Sequence, residues 1–191
     1  MILNLFSLYF ILLLCICSFI GYGSILKDRQ KNLNVFNYFF IGLVIFNIIA
    51  FVYYLLLPNN KILNLLIIFF GIALYFKNLK FENIKLITLI TLIFFSGLII
   101  SKTHEDFSVY HYQHIKELTD SYLKFGLANL DNRYFYASIF SYIQTIFRLP
   151  YYELYFVHVP IYSIYLALIG YLTLQIINLK KKYINFVYFF F

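Results

Sequence analysis

Hydrophobic residues along this chain come in long unbroken blocks, without the alternation of a half-buried strand or the 3.6-residue rhythm of a surface helix. Leu3 to Ile25 and Val35 to Leu57 contain no charge, and each has the length of about 17–25 residues that carries a helix across a bilayer. Ile62 to Phe76 and Leu86 to Ser101 are shorter. Lys61, Lys77, Lys85 and Lys102 stand at their ends, and lysine stems can lie along apolar surface while the ammonium reaches water, which extends both runs. Leu154 to Leu179 is a further uncharged run, interrupted only by His158 and Pro160, and Ile184 to Phe191 opens another. The pattern predicts an all-α, polytopic transmembrane helical bundle in three parts. Residues 1–101 hold four membrane helices, 102–153 form a long outer loop with amphipathic interfacial helices, and 154–191 hold a fifth span and the start of an incomplete sixth. On this reading the chain is the N-terminal portion of a longer protein.

Composition agrees with that class. Hydrophobic residues make up 63% and charged residues 12% of the chain, and mean hydropathy is +0.81. A soluble domain of this length would have too little polar surface to coat itself. The first run is not read as a signal peptide, because nothing basic precedes it and no A-x-A site follows it. Cys15 and Cys17 lie inside that run, two helix positions apart, where a disulfide is geometrically implausible and two small apolar side chains are the plainer reading.

Charge then sets orientation. Lys27, Arg29 and Lys31 follow the first span, Lys77, Lys80 and Lys85 follow the third, and Lys180, Lys181 and Lys182 follow the fifth. All three clusters are cytoplasmic under the positive-inside rule if the N-terminus and the 102–153 loop lie outside. That arrangement requires the uncharged run of fourteen from Tyr134 to Phe147 not to cross the membrane; its tyrosines suit an interfacial helix. The net charge of +7 is thereby explained by topology, and nucleic-acid binding is disfavoured.

The outer loop collects six of the eight acids, and Thr103 to Leu118 holds three of the four histidines. Drawn as a helix, Phe107 to Phe125 places Asp106, Tyr110, Gln113, Glu117 and Lys124 on a polar face. Phe107, Ile115, Leu118, Tyr122 and Phe125 share an apolar arc, with His111 inside it and His114 at its edge. Plainer readings exist: Thr103 and Asp106 fit a capping box, and H-x-x-H alone is a weak metal motif. His158, beside Pro160 in the fifth span, reads equally as a kink contact or as a functional group in the membrane. No G-x-x-x-G packing motif is present.

Two blocks recur in order: D-x-x-x-Y-H-x-Q, here Asp106, Tyr110, His111 and Gln113, and G-L-x-N-L-x-x-R, here Gly126, Leu127, Asn129, Leu130 and Arg133, followed by "YFYASIF". They resemble a poorly characterised family of bacterial polytopic membrane proteins that is similar to GT-C superfamily glycosyltransferases. The resemblance covers roughly Thr103 to Phe147. It departs at Asp131, where the family commonly has His, and after Arg133, where aromatics replace an Asn. Proteins of that superfamily carry about twice as many spans or more.

The resemblance implies transfer of a sugar from a polyprenyl-phosphate-linked donor at the outer face of the bacterial cytoplasmic (inner) membrane. Asp106 would be the catalytic base, with Glu105 as substitute, because a carboxylate can take the acceptor proton as an oxocarbenium-like centre forms. His111 would orient that base or, with His114 and Asp106, hold a divalent ion such as Mg or Mn. Arg133 would contact phosphate through its planar fork, Asn129 a sugar hydroxyl, and Tyr110 and Gln113 the substrate. A transporter or flippase of lipid-linked saccharide, and a non-catalytic membrane subunit, are the alternatives. The transporter predicts polar residues buried within several spans.

Overall fold

The computed structural model describes residues 2–29, 33–79, 82–100, 111–120, 140–148 and 155–190. These form helices α1 (Ile2–Gly23), α2 (Val35–Leu56), α3 (Lys61–Asn78), α4 (Glu82–Ile100), α5 (Tyr112–Asp120), α6 (Phe140–Ile146) and α7 (Tyr155–Phe190), with a 3₁₀ turn at Ser24–Arg29 after α1. Helix α1 with the 3₁₀ turn after it, and helices α2, α3 and α7, hold spans long and apolar enough to cross a membrane, at Leu5–Lys27, Val35–Leu56, Lys61–Asn78 and Val157–Leu179. The chain is accordingly an all-α, multi-pass membrane protein. The apolar part of α4, Ile84–Ile99, is shorter. Helix α7 runs unbroken through the lysine triplet to Phe190, so residues assigned above to a fifth span and the start of a sixth belong to one 36-residue helix.

Helix ends follow local chemistry. The Asn34 carboxamide accepts the Asn37 N–H at 2.9 Å and starts α2, and Pro58 follows two residues after its last helical turn, where a ring without an N–H cannot continue it. Asn60 caps α3 by accepting the Ile62 N–H at 2.8 Å.

Helix α1 is the centre of the bundle and packs against α2, α3, α4 and α7. Its glycines allow that crowding. A Cβ on Gly21 would lie 1.7 Å from the Gly71 carbonyl oxygen of α3, and one on Gly23 would lie 1.8 Å from the Tyr38 carbonyl oxygen of α2. Two residues along a helix is a rotation of about 200°, so the pair serves two different neighbours. Aromatic rings seal the rest. Phe19 meets Phe39, Phe46 and Phe147 edge-on at centroid distances of 5.4, 5.0 and 5.8 Å, and all four rings are buried.

The outward surface is apolar. Phe6, Ile48, Leu66, Phe69, Leu92 and Ile176 are all exposed, the distribution expected where acyl chains replace water. The short helix α6 falls within the Tyr134–Phe147 run and is covered: Ser141, Ile143, Gln144, Thr145 and Ile146 are buried. It packs on α2, α5 and α7, and Phe147 just beyond it plugs the α1–α2 core.

Candidate functional site at one end of the bundle

Helix α5 carries the part of the histidine-rich segment that the structure describes. Ile115 and Leu118 are buried and Gln113 is exposed, as the apolar arc requires. His114 is only 6% exposed, whereas His111 is half-buried, so the deeper imidazole is His114 and not His111. The reason is local: His111 sits in a π turn ahead of the regular helix, which takes it off the helical wheel that governs 112–120.

Burial drives the His114 pKa below its ordinary value; the nearby Glu117 carboxylate pulls it up and His111 pushes it down. His114 is therefore neutral at pH 7, the form that can accept a proton or donate a lone pair to a metal. His111, His114 and Glu117 follow one another at i, i+3 and i+6, about one helical turn apart.

Helix α5 is held at both sides. The Asn59 carboxamide, in the α2–α3 loop, donates to the Thr119 carbonyl at 3.0 Å. Its own oxygen accepts from the Tyr54 hydroxyl at 3.2 Å and from Asn64 Nδ2 at 2.8 Å. From just beyond α6, Arg148 Nη1 donates to the Thr119 hydroxyl at 3.0 Å, and its guanidinium lies over the Tyr112 ring at 5.8 Å. Gln144 Nε2 donates to the Val157 carbonyl at 2.9 Å, which ties the same end to the first turns of α7. His158 is half-buried one residue further on.

Of the residues predicted for the site, the structure places Gln113 and His114 on α5 and His111 in the turn just ahead of it. Glu105, Asp106, Tyr110, Asn129 and Arg133 lie outside the described residues. Sequence reasoning missed Arg148, Asn59 and Tyr54. The guanidinium had no local signal, since its partner Thr119 is 29 residues away in the chain; the Pro58-Asn59-Asn60 turn was legible as a loop but not as an anchor.

A divalent ion would find two imidazole donors at the start of α5, His111 just ahead of it and His114 within it. Such a pair suits Mn better than Mg, which prefers oxygen ligands. Among the described residues no three His, Cys, Asp or Glu side chains come together, and Asp106, the third expected ligand, is outside them. Comparison with known protein families, curated proteins and solved structures finds no match.

Proposed function

We propose that this membrane protein is part of a GT-C-like glycosyltransferase that moves a sugar from a polyprenyl-phosphate carrier at the outer face of the bacterial cytoplasmic membrane. The observation that carries the reading is the placement of α5. A helix bearing His114 and Glu117, with His111 just ahead of it, is fastened to the α2–α3 loop through Asn59 and to Arg148, at the end of α3 away from Lys77 and Asn78. That is where a substrate with a lipid tail and a polar head presents its reacting bond. Asp106 takes the acceptor proton in this scheme, with Glu105 as substitute. His111 and His114 hold the geometry or, with Asp106, a divalent ion, whose charge would balance the departing phosphate. Arg133 contacts phosphate oxygens, Asn129 a sugar hydroxyl, and Tyr110 and Gln113 the substrate.

The test uses native membranes containing the protein and a panel of radiolabelled polyprenyl-phosphate hexoses. Asp106→Asn should abolish transfer and leave membrane insertion intact. Full transfer by that variant removes Asp106 from the mechanism, and no transfer by the wild type from any donor rejects the enzyme reading.

The transporter reading has an observation of its own: Ser18, Asn47, Asn64, Thr91 and Ser163 are buried within the helices. Three of them turn back on their own helix. Asn47 Nδ2 donates to the Leu43 carbonyl at 3.0 Å, Thr91 to Ile87 at 2.7 Å and Ser163 to Pro160 at 2.6 Å. Such local bonds occupy the Thr91 and Ser163 hydroxyls and the Asn47 amide N–H without lining a path, whereas Ser18 Oγ, Asn47 Oδ1 and Asn64 Oδ1 are buried with no hydrogen-bond partner among the described residues. Uptake of a labelled lipid-linked saccharide into vesicles, unaffected by Asp106→Asn, would favour transport.

A further inference from the structure

At the other end of α1 and α3 the surface holds an open cleft of about 420 Å³ between the 3₁₀ turn and the last turn of α3, lined by Ser24, Ile25, Lys27, Leu74, Lys77 and Asn78. Its lining is divided. Ile25 and Leu74 are aliphatic, and Ile25 is exposed, as is the neighbouring Phe76; this side continues the lipid-facing surface. Lys27 and Lys77 add two positive charges to the lining, to which Asn78 also belongs, and among the described residues that line the cleft none is acidic.

The rim is cross-linked before any ligand arrives. The Ser24 hydroxyl donates to the Gly21 carbonyl at 2.6 Å, and Asn78 Nδ2 donates to Ser24 Oγ at 2.9 Å. The Lys27 ammonium donates to the Asn78 carbonyl. That contact explains Lys27 as a cation at a helix C-terminus, but it accounts for neither Lys77 nor the cleft. An ammonium has three donors, and the carbonyl takes one.

We infer that this cleft binds the phosphodiester headgroup of an anionic phospholipid, with its glycerol and first acyl carbons against Ile25 and Leu74 and its phosphate between Lys27 and Lys77. The pairing of an aliphatic wall with two lysines at the membrane boundary selects an amphiphile with an anionic head over a neutral lipid. It is independent of the proposed transferase, whose described residues, His111, Gln113 and His114, lie at the opposite end of the bundle.

The test is native mass spectrometry of the full chain released from micelles containing equal amounts of phosphatidylglycerol and phosphatidylcholine. Phosphatidylglycerol should be retained preferentially, and Lys27→Ala with Lys77→Ala should weaken retention roughly thirtyfold, the factor that about 2 kcal/mol of lost charge-assisted hydrogen bonding to the phosphate supplies. Neutralising Lys180, Lys181 and Lys182 to Ala is the charge control and should leave retention unchanged. Equal loss in that control, or unchanged retention in the Lys27 and Lys77 variant, overturns the site in favour of diffuse attraction. Displacement of the lipid by inorganic phosphate at low millimolar concentration also overturns the lipid assignment and makes the ligand a free phosphate. If the double variant does not fold, Leu74→Trp, which fills the aliphatic side, must reduce retention with both lysines present; unchanged retention there rejects the cleft.

Discussion

The close approach of α1 to α3 at Gly21 gives the sharpest stability prediction. A methyl group added at Gly21 would stand 1.7 Å from the Gly71 carbonyl oxygen, 2.7 Å from its carbon and 2.9 Å from the Tyr75 nitrogen. All three are backbone atoms of α3, so no rotamer change can make room. The helices would have to separate by about 1.5 Å, and a radial gap of about 0.5–1 Å already forfeits a quarter to a half of a contact's well depth. Overpacking of this kind costs about 1–3 kcal/mol, against which alanine's better helix propensity returns up to about 1 kcal/mol. Gly21→Ala should therefore lose about 2 kcal/mol, a factor of roughly thirty in the folded-to-unfolded ratio, read as a shift in the SDS concentration that unfolds the purified protein. Gly97 is the internal comparison. A Cβ there meets the Tyr162 hydroxyl oxygen at 2.4 Å and no other atom nearer than 3.3 Å. The end of that tyrosine can swing away at the loss of its hydrogen bond to the Phe94 carbonyl, about 1 kcal/mol, which alanine's better helix propensity offsets, so Gly97→Ala should stay within about 0.5 kcal/mol of wild type. Wild-type stability in Gly21→Ala, or equal losses at both positions, would refute the backbone-to-backbone packing of α1 on α3.

Docking of α5 should weaken in acid. The His114 pKa is depressed in the folded protein, so the unfolded or undocked chain binds the proton more tightly. The associated stability is full above the ordinary histidine pKa of about 6.5 and is lost as pH falls through that value toward the folded one. Amide hydrogen exchange in 112–120 should accelerate over that window, and His114→Gln should abolish the dependence; a dependence that survives this change assigns it elsewhere. Arg148→Ala removes the hydrogen bond to Thr119 and the stacking on Tyr112, worth about 1–2 kcal/mol together. The same amides should then exchange about tenfold faster or more, with Arg148→Lys intermediate because it keeps the charge but not the planar fork; unchanged protection would show that Asn59 alone holds the helix.

The membrane helices were legible because their physics is local. The uncharged run from Val35 to Leu57 becomes α2 over Val35–Leu56, with Asn34 to cap it and Pro58 to stop it, and both signals lie within a few residues of the ends. The buried arc of Ile115 and Leu118 was legible for the same reason. What escaped depends on residues far apart in sequence. A search for G-x-x-x-G looks for one helix pair, whereas Gly21 and Gly23 face α3 and α2 separately, a spacing that signals neither contact alone. The run ending at Phe147 read as interfacial from its tyrosines, but Phe147 fits between Phe19 and Phe46, and no residue near it in the chain reveals that vacancy. The order of His111 and His114 turned on a single π turn, which helical periodicity cannot represent.

Two hydrogen bonds tie the sidedness of the molecule together. Asn59 reaches Thr119, which places the α2–α3 loop and the histidine-bearing helix at one end. Lys27 reaches the Asn78 carbonyl, which places the 3₁₀ turn after α1 and the end of α3 at the other. The 18 residues of α3 lie between, a helix length of about 27 Å and close to the thickness of a bilayer's hydrocarbon core of about 30 Å. The transferase site proposed on α5 and the phospholipid cleft at Lys27 therefore belong to opposite leaflets. A charge change in the cleft should alter lipid retention without altering sugar transfer, and Asp106→Asn should do the reverse. Orientation measured at either loop also fixes the other: labelling a cysteine placed at Asn59 from outside the cell, with a cysteine at Asn78 protected, is the outcome required by the lysine-rich end facing the cytoplasm. The opposite pattern would move α5 to the cytoplasmic face, where a polyprenyl-linked donor that has crossed the membrane is absent, and the transferase reading would fall while the cleft's chemistry stood.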